Sequence, residues 1–144
     1  MDDHLALLVL AGALGEDELG DRAATTSLWY LRLVAAVTAP PQTGVGPGRL
    51  SRLLDTAAKG DVDDLRIRIL APPKPVLDVL HPMRFARETA GVQRSSRLNL
   101  LAAETLGAAR HHGASFLVAA PNAGGPIEAV AEQLGVAIRV LGGP

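Results

Sequence analysis

Apolar runs and one alternating run predict the strands of this chain. Residues 5–11 are continuously apolar and residues 114–120 nearly so, which is typical of strands covered on both faces of a parallel sheet. Residues 65–70 alternate apolar and charged side chains, which predicts a half-exposed or edge strand. Residues 136–141 follow a glycine and predict a last strand.

Helical spacing and capping residues predict the helices. The clearest one covers residues 98–109, where apolar side chains recur at i, i+3 and i+4 before His111, His112 and Gly113 close it. Pro82 lacks an amide donor and is expected to split the helix that is predicted over residues 76–90. The further helices are predicted over residues 28–37, 49–58, 76–90 and 127–134. The loops between elements are predicted over residues 15–21, 43–48, 71–75, 91–96 and 121–126.

Strands that alternate with helices predict βαβ units with right-handed crossovers. The chain shows no internal repeat and no linker that would separate two domains. We therefore predict an α/β fold, a three-layer α/β/α sandwich with a mostly parallel central sheet, as a single domain over residues 1–144.

Composition narrows the function classes. The 144 residues include no cysteine, which excludes disulfides, thiol catalysis and zinc sites built on cysteine. The formal net charge of −1 is unlike the strongly basic balance of general nucleic-acid binders. The start of the chain is acidic, and the apolar run behind it is shorter than the ~20 residues that span a bilayer. We expect a cytoplasmic protein without a membrane segment.

Charge is unevenly distributed along the chain. Residues 49–97 hold ten basic and six acidic side chains, whereas residues 1–48 hold two basic and six acidic ones. The middle segment therefore predicts either a solvated arginine-rich face or a surface that contacts phosphates or an acidic partner.

The predicted strand ends carry little chemistry. Ligands of open α/β sheets bind outside the carboxyl ends of the strands, and there the sequence offers Leu10 and Pro121 rather than an acid, base or nucleophile. Glu104 is expected on the surface of its helix. His111 and His112 are adjacent at a helix end, where they suit the helix dipole better than a shared metal ion.

Two glycine-rich segments are candidate anion sites. Residues 43–49 follow a helix and prolines instead of the strand that phosphate-loop fingerprints require. Asn122, Gly124 and Gly125 lie at a strand-to-helix turn, where backbone amides are able to hold an anion. Ordinary turn chemistry explains the same glycines.

Several local strings resemble the PIN domain, the small metal-dependent ribonuclease fold of many toxins in toxin–antitoxin pairs. Residues 100–120 are similar to the family's helix, Gly-Ala turn and following strand. Residues 10–14 resemble the end of its first strand, and residues 25–29 resemble the start of its second element. The resemblance covers most of the chain and is loosest in the middle.

The departure from the family concerns its acidic metal site. The family has aspartates where this chain has Leu10, Ala102 and Pro121, and a glutamate near Arg32 or Leu33. Mg²⁺ is localised by carboxylates, and these side chains supply none. The resemblance therefore implies a PIN-like domain with no catalytic residue, metal or cofactor. It also implies a homodimer or a protein partner. Nucleic acid is not expected as a partner because the formal net charge is only −1.

Two alternatives stay open at this point. One is a metal-dependent ribonuclease whose acids are displaced to Glu104, Asp78 or Asp17. The other is a small-ligand or nucleotide-binding module that uses the amides of residues 122–125. Whether residues 49–97 contact RNA is left undecided by the sequence.

Overall fold

The computed structural model describes residues 1–20, 22–38, 48–58 and 60–141. Helices and short strands alternate along them, with 3-10 turns at Pro82–Arg84 and Ala120–Asn122. The helices are α1 (Asp3–Leu10), α2 (Glu16–Leu19), α3 (Ser27–Thr38), α4 (Arg49–Ala57), α5 (Val62–Leu70), α6 (Ala86–Ser95), α7 (Leu100–His112) and α8 (Pro126–Leu134). The strands are β1 (Ala24–Thr26), β2 (Asp78–Leu80), β3 (Phe116–Ala119) and β4 (Ile138–Leu141).

The strands form two parallel pairs. β1 pairs with β2, with Thr26 opposite Leu80, and β3 pairs with β4, with Phe116 opposite Ile138. The predictions of a mixed α/β class and of parallel pairing are confirmed. The described strands make two sheets of two strands each rather than the one continuous central sheet that the sequence predicts.

The first two residues join the two sheets. The Met1 amino group donates to the carbonyl oxygen of Ala24 over 2.8 Å, and the Thr25 hydroxyl donates to the Met1 carbonyl over 2.9 Å. On the other side, the amide of Asp2 donates to the Leu117 carbonyl over 3.3 Å. Residues 1 and 2 thus lie between β1 and β3 and hydrogen-bond to both.

The prediction of a strand over residues 5–11 is wrong, because this segment is the body of α1. Asp2 caps the helix, its Oδ1 accepting from the amide of Leu5 over 2.9 Å. The core covers nearly every face of α1, so its sequence lacks a polar stripe. A short apolar run with no stripe has the same pattern in a buried strand and a buried helix.

Two further predictions in the first half of the chain are wrong. Residues 65–70 lie in α5 rather than in a strand; Asp61 caps this helix and Arg68 pairs with Asp64 at 2.7 Å. The acidic segment 15–21, predicted as a loop, contains the short helix α2. Local ion pairs and a side-chain cap thus outweigh the alternating pattern of α5.

The stretch after residue 75 also differs from its prediction. Residues 76–90 were expected to form one helix, yet they contain β2, a 3-10 turn and the start of α6. Pro82 does end helical continuity, and it stands in the first turn of the 3-10 segment. The predicted loop over residues 91–96 is instead mostly the last part of α6.

The other predicted elements are confirmed where the structure describes them. They are α3, α4, α7, β3, α8 and β4. Gly113 and Gly135 end α7 and α8 with φ of 59° and 67°, the left-handed conformation that glycine adopts at no steric cost. Pro40, Pro41 and residues 43–47, predicted as a break and a loop, lie outside the described residues.

Two apolar clusters form the interior. The first surrounds α1 and includes Leu5, Leu7, Leu10, Leu33 and Ile69. The second lies between α6, α7, β3 and α8 and includes Val92, Leu106, Phe116 and Ala131. Leucine, alanine and valine supply most of this packing, because only 3% of the residues are aromatic.

Candidate functional site

The four positions that the PIN resemblance assigns to lost acids occupy different surroundings. Leu10 is buried at the end of α1, two helical turns beyond Asp3, and not at a strand end. Pro121 is exposed in the 3-10 turn that follows β3. Ala102 is half-buried in the first turn of α7, and Arg32 is exposed on α3. Of these four, Arg32 contacts Asp3, and Pro121 directly precedes Asn122, which contacts Asp2.

Asp2 is a fully buried acid that lies between the sheets. Its Oδ2 accepts from the amide of Ala119 over 3.0 Å and from the Nδ2 of Asn122 over 2.8 Å. Its Oδ1 accepts the capping bond from Leu5. Because hydrogen bonds stabilise a buried carboxylate, these three donors account for its place in the interior. They also tie the end of β3 to the start of α1.

Asp3 lies next to it, and it is paired with Arg32. The Nε of Arg32 is 3.1 Å from Asp3 Oδ2, and the carboxylate is almost completely buried whereas the arginine is half exposed. The guanidinium also lies over the ring of Trp29, 5.0 Å from the ring centre. Burial raises the pKa of Asp3 above its ordinary value, and the charge of Arg32 opposes this effect.

Glu104 is not the surface charge that the sequence predicts, because only 4% of it is exposed. Its Oε1 accepts from the Ser27 hydroxyl over 2.7 Å, and its Oε2 accepts from the amide of Leu28 over 3.1 Å. The carboxylate therefore lies at the N-terminus of α3, where unpaired amides and the helix dipole favour a negative charge.

The adjacent residue in α7, Thr105, makes a second contact with α3. The indole Nε1 of Trp29 donates to Thr105 Oγ1 over 2.7 Å, and that hydroxyl donates to the Leu101 carbonyl over 2.9 Å. Trp29 packs inward, whereas the adjacent Tyr30 is half-buried. The Tyr30 hydroxyl donates to the carbonyl of Ile69 in α5 over 2.9 Å.

The predicted anion turn already contains its own acidic group. The amide of Gly124 donates to Glu128 Oε1 over 2.9 Å, and Asn122 uses its Nδ2 to bind Asp2. Gly125 caps α8 with φ of 83°, a conformation that favours glycine. The Gly124 amide, which the sequence predicts as a donor to an external anion, thus donates to a carboxylate from α8.

The acids proposed for a displaced metal site lie in unrelated places. Glu104 caps α3, Asp17 is exposed on α2, and Asp78 in β2 is 4.0 Å from the Nη2 of Arg22. Across residues 1–20, 22–38, 48–58 and 60–141, no three histidine or acidic side chains converge in a geometry suited to a metal ion.

The two histidines at the end of α7, His111 and His112, take part in ring and charge contacts. His111 Nδ1 lies 3.3 Å from Glu88 Oε1, and its ring lies against that of His112 with centres 4.9 Å apart. The amide of Glu88 and the nearby His111 hold the pKa of the Glu88 carboxyl below its ordinary value. Both histidines end a helix, as the sequence predicts, because α7 ends at His112.

Sequence reasoning missed Asp2 and Asp3 as buried groups and treated them as an acidic chain start. A usable signal was present, since an aspartate directly before an apolar run is a common N-terminal cap. The prediction of a strand over residues 5–11 concealed it, because a strand start needs no such cap.

The chain was compared with protein-family models, with curated proteins and with solved structures, and none of the three comparisons finds a match. No helix in the described part of the chain combines the length and the apolar character needed to cross a bilayer.

Proposed function

We propose that this chain is a PIN-like domain that does not cleave RNA and that acts in the cytoplasm by binding a protein, either a second copy of itself or another partner. The observation that carries the proposal is the ion pair between Arg32 and Asp3, 3.1 Å long. Arg32 stands at the position that the resemblance assigns to a catalytic glutamate. A cation there reverses the charge that a metal site needs.

The buried carboxylates of Asp2, Asp3 and Glu104 do not form a site for a divalent cation. Mg²⁺ requires oxygen ligands in a near-octahedral arrangement and is held by carboxylates. Asp2 accepts from three donors, Glu104 accepts from Ser27 and Leu28, and the charge of Asp3 is opposed by Arg32. Since these carboxylates are engaged in interactions within the chain, we derive no metal-dependent step.

The position of residues 1 and 2 supports the PIN-like, three-layer part of the proposal. If their hydrogen bonds to Ala24 and Leu117 are counted as strand pairing, the order across the molecule is β2, β1, residues 1–2, β3, β4. That order is a doubly wound one in which the chain leaves the middle in both directions. Asp2 is then the last residue of the central strand, at the switch point, whereas the resemblance assigns the end of the first strand to Leu10.

The apolar surface of α3 and α5 supports a binding role. Leu31 of α3 is 61% exposed, and Ile67 and Leu70 of α5 are 66% and 53% exposed. The Tyr30 hydroxyl links the two helices through the carbonyls of Ile69 and Leu70. Exposed aliphatic side chains on adjoining helices are typical of a protein interface. We propose this surface as the dimer contact.

A cleavage assay tests the absence of nuclease activity. The purified full chain is incubated with single-stranded and structured RNA in Mg²⁺ or Mn²⁺, with and without EDTA. We expect no EDTA-sensitive cleavage. Cleavage that is present in the wild type and in Asp17→Asn, but absent in Asp2→Asn, would overturn the proposal, because a contaminating nuclease would not follow the genotype.

Sedimentation of the same protein tests the dimer. We expect a concentration-dependent dimer that Leu31→Glu and Ile67→Glu dissociate. Leu100→Glu is the matched control, since Leu100 is 50% exposed and begins α7, where a glutamate suits the helix. A monomer at all concentrations, or a dimer that all three variants leave intact, would contradict the proposed contact.

A further inference from the structure

A cavity of about 500 Å³ lies between one face of the β1–β2 sheet and one face of α7. Alternate strand residues share a face, and the register places Ala24 opposite Asp78 and Thr26 opposite Leu80. All four of these residues line the cavity. On the helix side it is lined by residues at i, i+3, i+4 and i+7, namely Thr105, Ala108, Ala109 and His112. The elements β1, β2 and α7 therefore build two of its walls, and residues 114–117, which lead into β3, also line it.

The charge of this cavity is positive. Arg22, Arg84 and Arg139 line it, and Asp78 is the single acid among those lining residues that the structure describes. The carboxylate of Asp78 is partly compensated by Arg22, at 4.0 Å. A neighbouring depression of about 520 Å³ shares Arg22, Arg84 and Asp78, and it adds Lys74 and His81. Arginine guanidinium groups match the geometry of phosphate oxygens and bind them with paired hydrogen bonds.

The wall also contains a hydroxyl without a partner. Thr26 is 3% exposed, and its Oγ1 has no hydrogen-bond partner among the described residues. By contrast, Thr105 on the opposite wall both accepts and donates. A buried unpaired hydroxyl costs free energy, and rotation about χ1 exchanges it with the methyl group of the same side chain. A polar group of a molecule in the cavity would satisfy it.

We propose that this cavity binds a small phosphate-bearing ligand of about the size of a mononucleotide. The arginines hold the phosphate, the apolar wall of Leu80, Ala108 and Phe116 takes the body of the ligand, and Thr26 binds one of its polar groups. The cavity volume is that of an ordinary small-molecule site, roughly 300 to 1,000 Å³. The site uses none of the four positions Leu10, Arg32, Ala102 and Pro121 of the proposed function, so either proposal can fail alone.

Binding of the four ribonucleoside monophosphates to the full chain tests this inference. Trp29 is the only tryptophan, and it hydrogen-bonds to Thr105 in the cavity wall, so its emission reports occupancy; calorimetry provides an independent measurement. We expect saturable binding of at least one nucleotide and competition by inorganic phosphate. The matching nucleoside is expected to bind about tenfold or more weakly, because it lacks the charged group.

Variants of the wall identify the site. Arg22→Gln and Arg84→Gln are expected to weaken nucleotide binding by about fivefold or more, whereas Asp78→Asn strengthens it. Thr26→Val weakens binding without lowering the midpoint of thermal unfolding, because it removes an unpaired hydroxyl. Arg94→Gln, exposed on α6 outside the cavity, is the matched control and leaves binding unchanged.

Three outcomes would overturn the inference. The first is no saturable binding of any of the four nucleotides at millimolar concentration. The second is an affinity for the nucleotide that is the same in Arg22→Gln, Arg84→Gln and Thr26→Val as in the control Arg94→Gln. The third is tight binding of single-stranded RNA against which the mononucleotides do not compete, which would assign the arginines to a polymer.

Discussion

The carboxylate of Glu104 lies 2.7 Å from the hydroxyl of Ser27, a residue 77 positions earlier in the chain. Through this bond and the one to the Leu28 amide, α7 supplies the cap at the N-terminus of α3. Caps are usually local, taken from the residue that precedes the helix. Here the cap is a tertiary contact, and it holds two helices in a fixed relation.

Replacing Glu104 is therefore expected to destabilise the fold. Glu104→Ala leaves the Ser27 hydroxyl and the Leu28 amide without their acceptor, and we expect a loss of about 2 kcal/mol in the free energy of unfolding. Glu104→Gln keeps an acceptor but loses the charge, so its loss is expected to be smaller. Urea denaturation measures both. Glu132→Ala, exposed on α8, is the control; equal effects of Glu104→Ala and Glu132→Ala would show that the cap contributes nothing.

Asp3 predicts a dependence of stability on pH. Burial raises the pKa of this carboxyl above its ordinary value, so the folded state binds the proton more tightly than the unfolded state. The stability that the group contributes is then present below the unfolded pKa and lost as pH rises through the folded pKa.

The variant Asp3→Asn removes that loss. Relative to the wild type, we expect its free energy of unfolding to increase as pH rises from about 3 to about 7. Arg32 is half exposed and loses little when its partner is removed. Urea denaturation across this pH range gives the comparison. Asp63→Asn, with a side chain 91% exposed, should show no such trend; a trend of opposite sign for Asp3→Asn would mean that Arg32 outweighs burial.

The bond between Trp29 and Thr105 predicts a cost for an isosteric change. Thr105→Val keeps the shape of the side chain but leaves the buried indole N–H unpaired, so we expect a loss of about 1 to 3 kcal/mol. Unfolding followed by the emission of the single tryptophan measures it. In Thr56→Val the lost bond is an exposed one to the Arg52 carbonyl, and a small change is expected there. Similar losses in both variants would contradict the role of the buried bond.

Gly107 in α7 and Gly91 in α6 form a matched pair for substitution by alanine. A Cβ added at Gly107 would lie 2.7 Å from the amide nitrogen and 2.9 Å from the Cα of Thr89, both backbone atoms of α6. Gly107→Ala is therefore expected to force α6 and α7 apart and to cost about 1 to 3 kcal/mol.

Gly91→Ala should have the opposite effect. Gly91 lies in α6 with nothing within 4 Å of an added Cβ, so alanine is expected to stabilise the helix by about 0.5 to 1 kcal/mol. Thermal and urea denaturation measure both variants. A tolerated alanine at position 107 would show that the close approach of the two helices is not required.

Elements with strong local signals were predictable. The helix over residues 98–109 has apolar spacing over three turns, an Asn99 cap and a glycine in the left-handed conformation at its end. The same holds for α8, which begins at Pro126 and ends before Gly135. In these segments the hydrogen bonds and caps are made by neighbours in sequence, so the information is local.

Segments whose neighbours are distant in sequence were not predictable. Residues 5–11 carry no stripe because the core surrounds them, and an apolar run of that length fits a strand and a helix equally well. Glu104 has the sequence context of a surface residue, and only the packing of α7 on α3 brings it to the start of that helix. The ion pair between Asp3 and Arg32 likewise depends on tertiary packing, because the two residues are distant in sequence.

The sequence by itself determined the composition of the core, the absence of cysteine chemistry, the parallel α/β class and the helices that carry their own caps. The tertiary structure alone decided that residues 1 and 2 join two sheets and that the buried acids are engaged by partners within the chain. It also decided that cationic side chains from separate segments line one cavity. The reason is physical: a cap or a turn needs only residues a few positions apart, whereas a buried charge is defined by what the fold places around it.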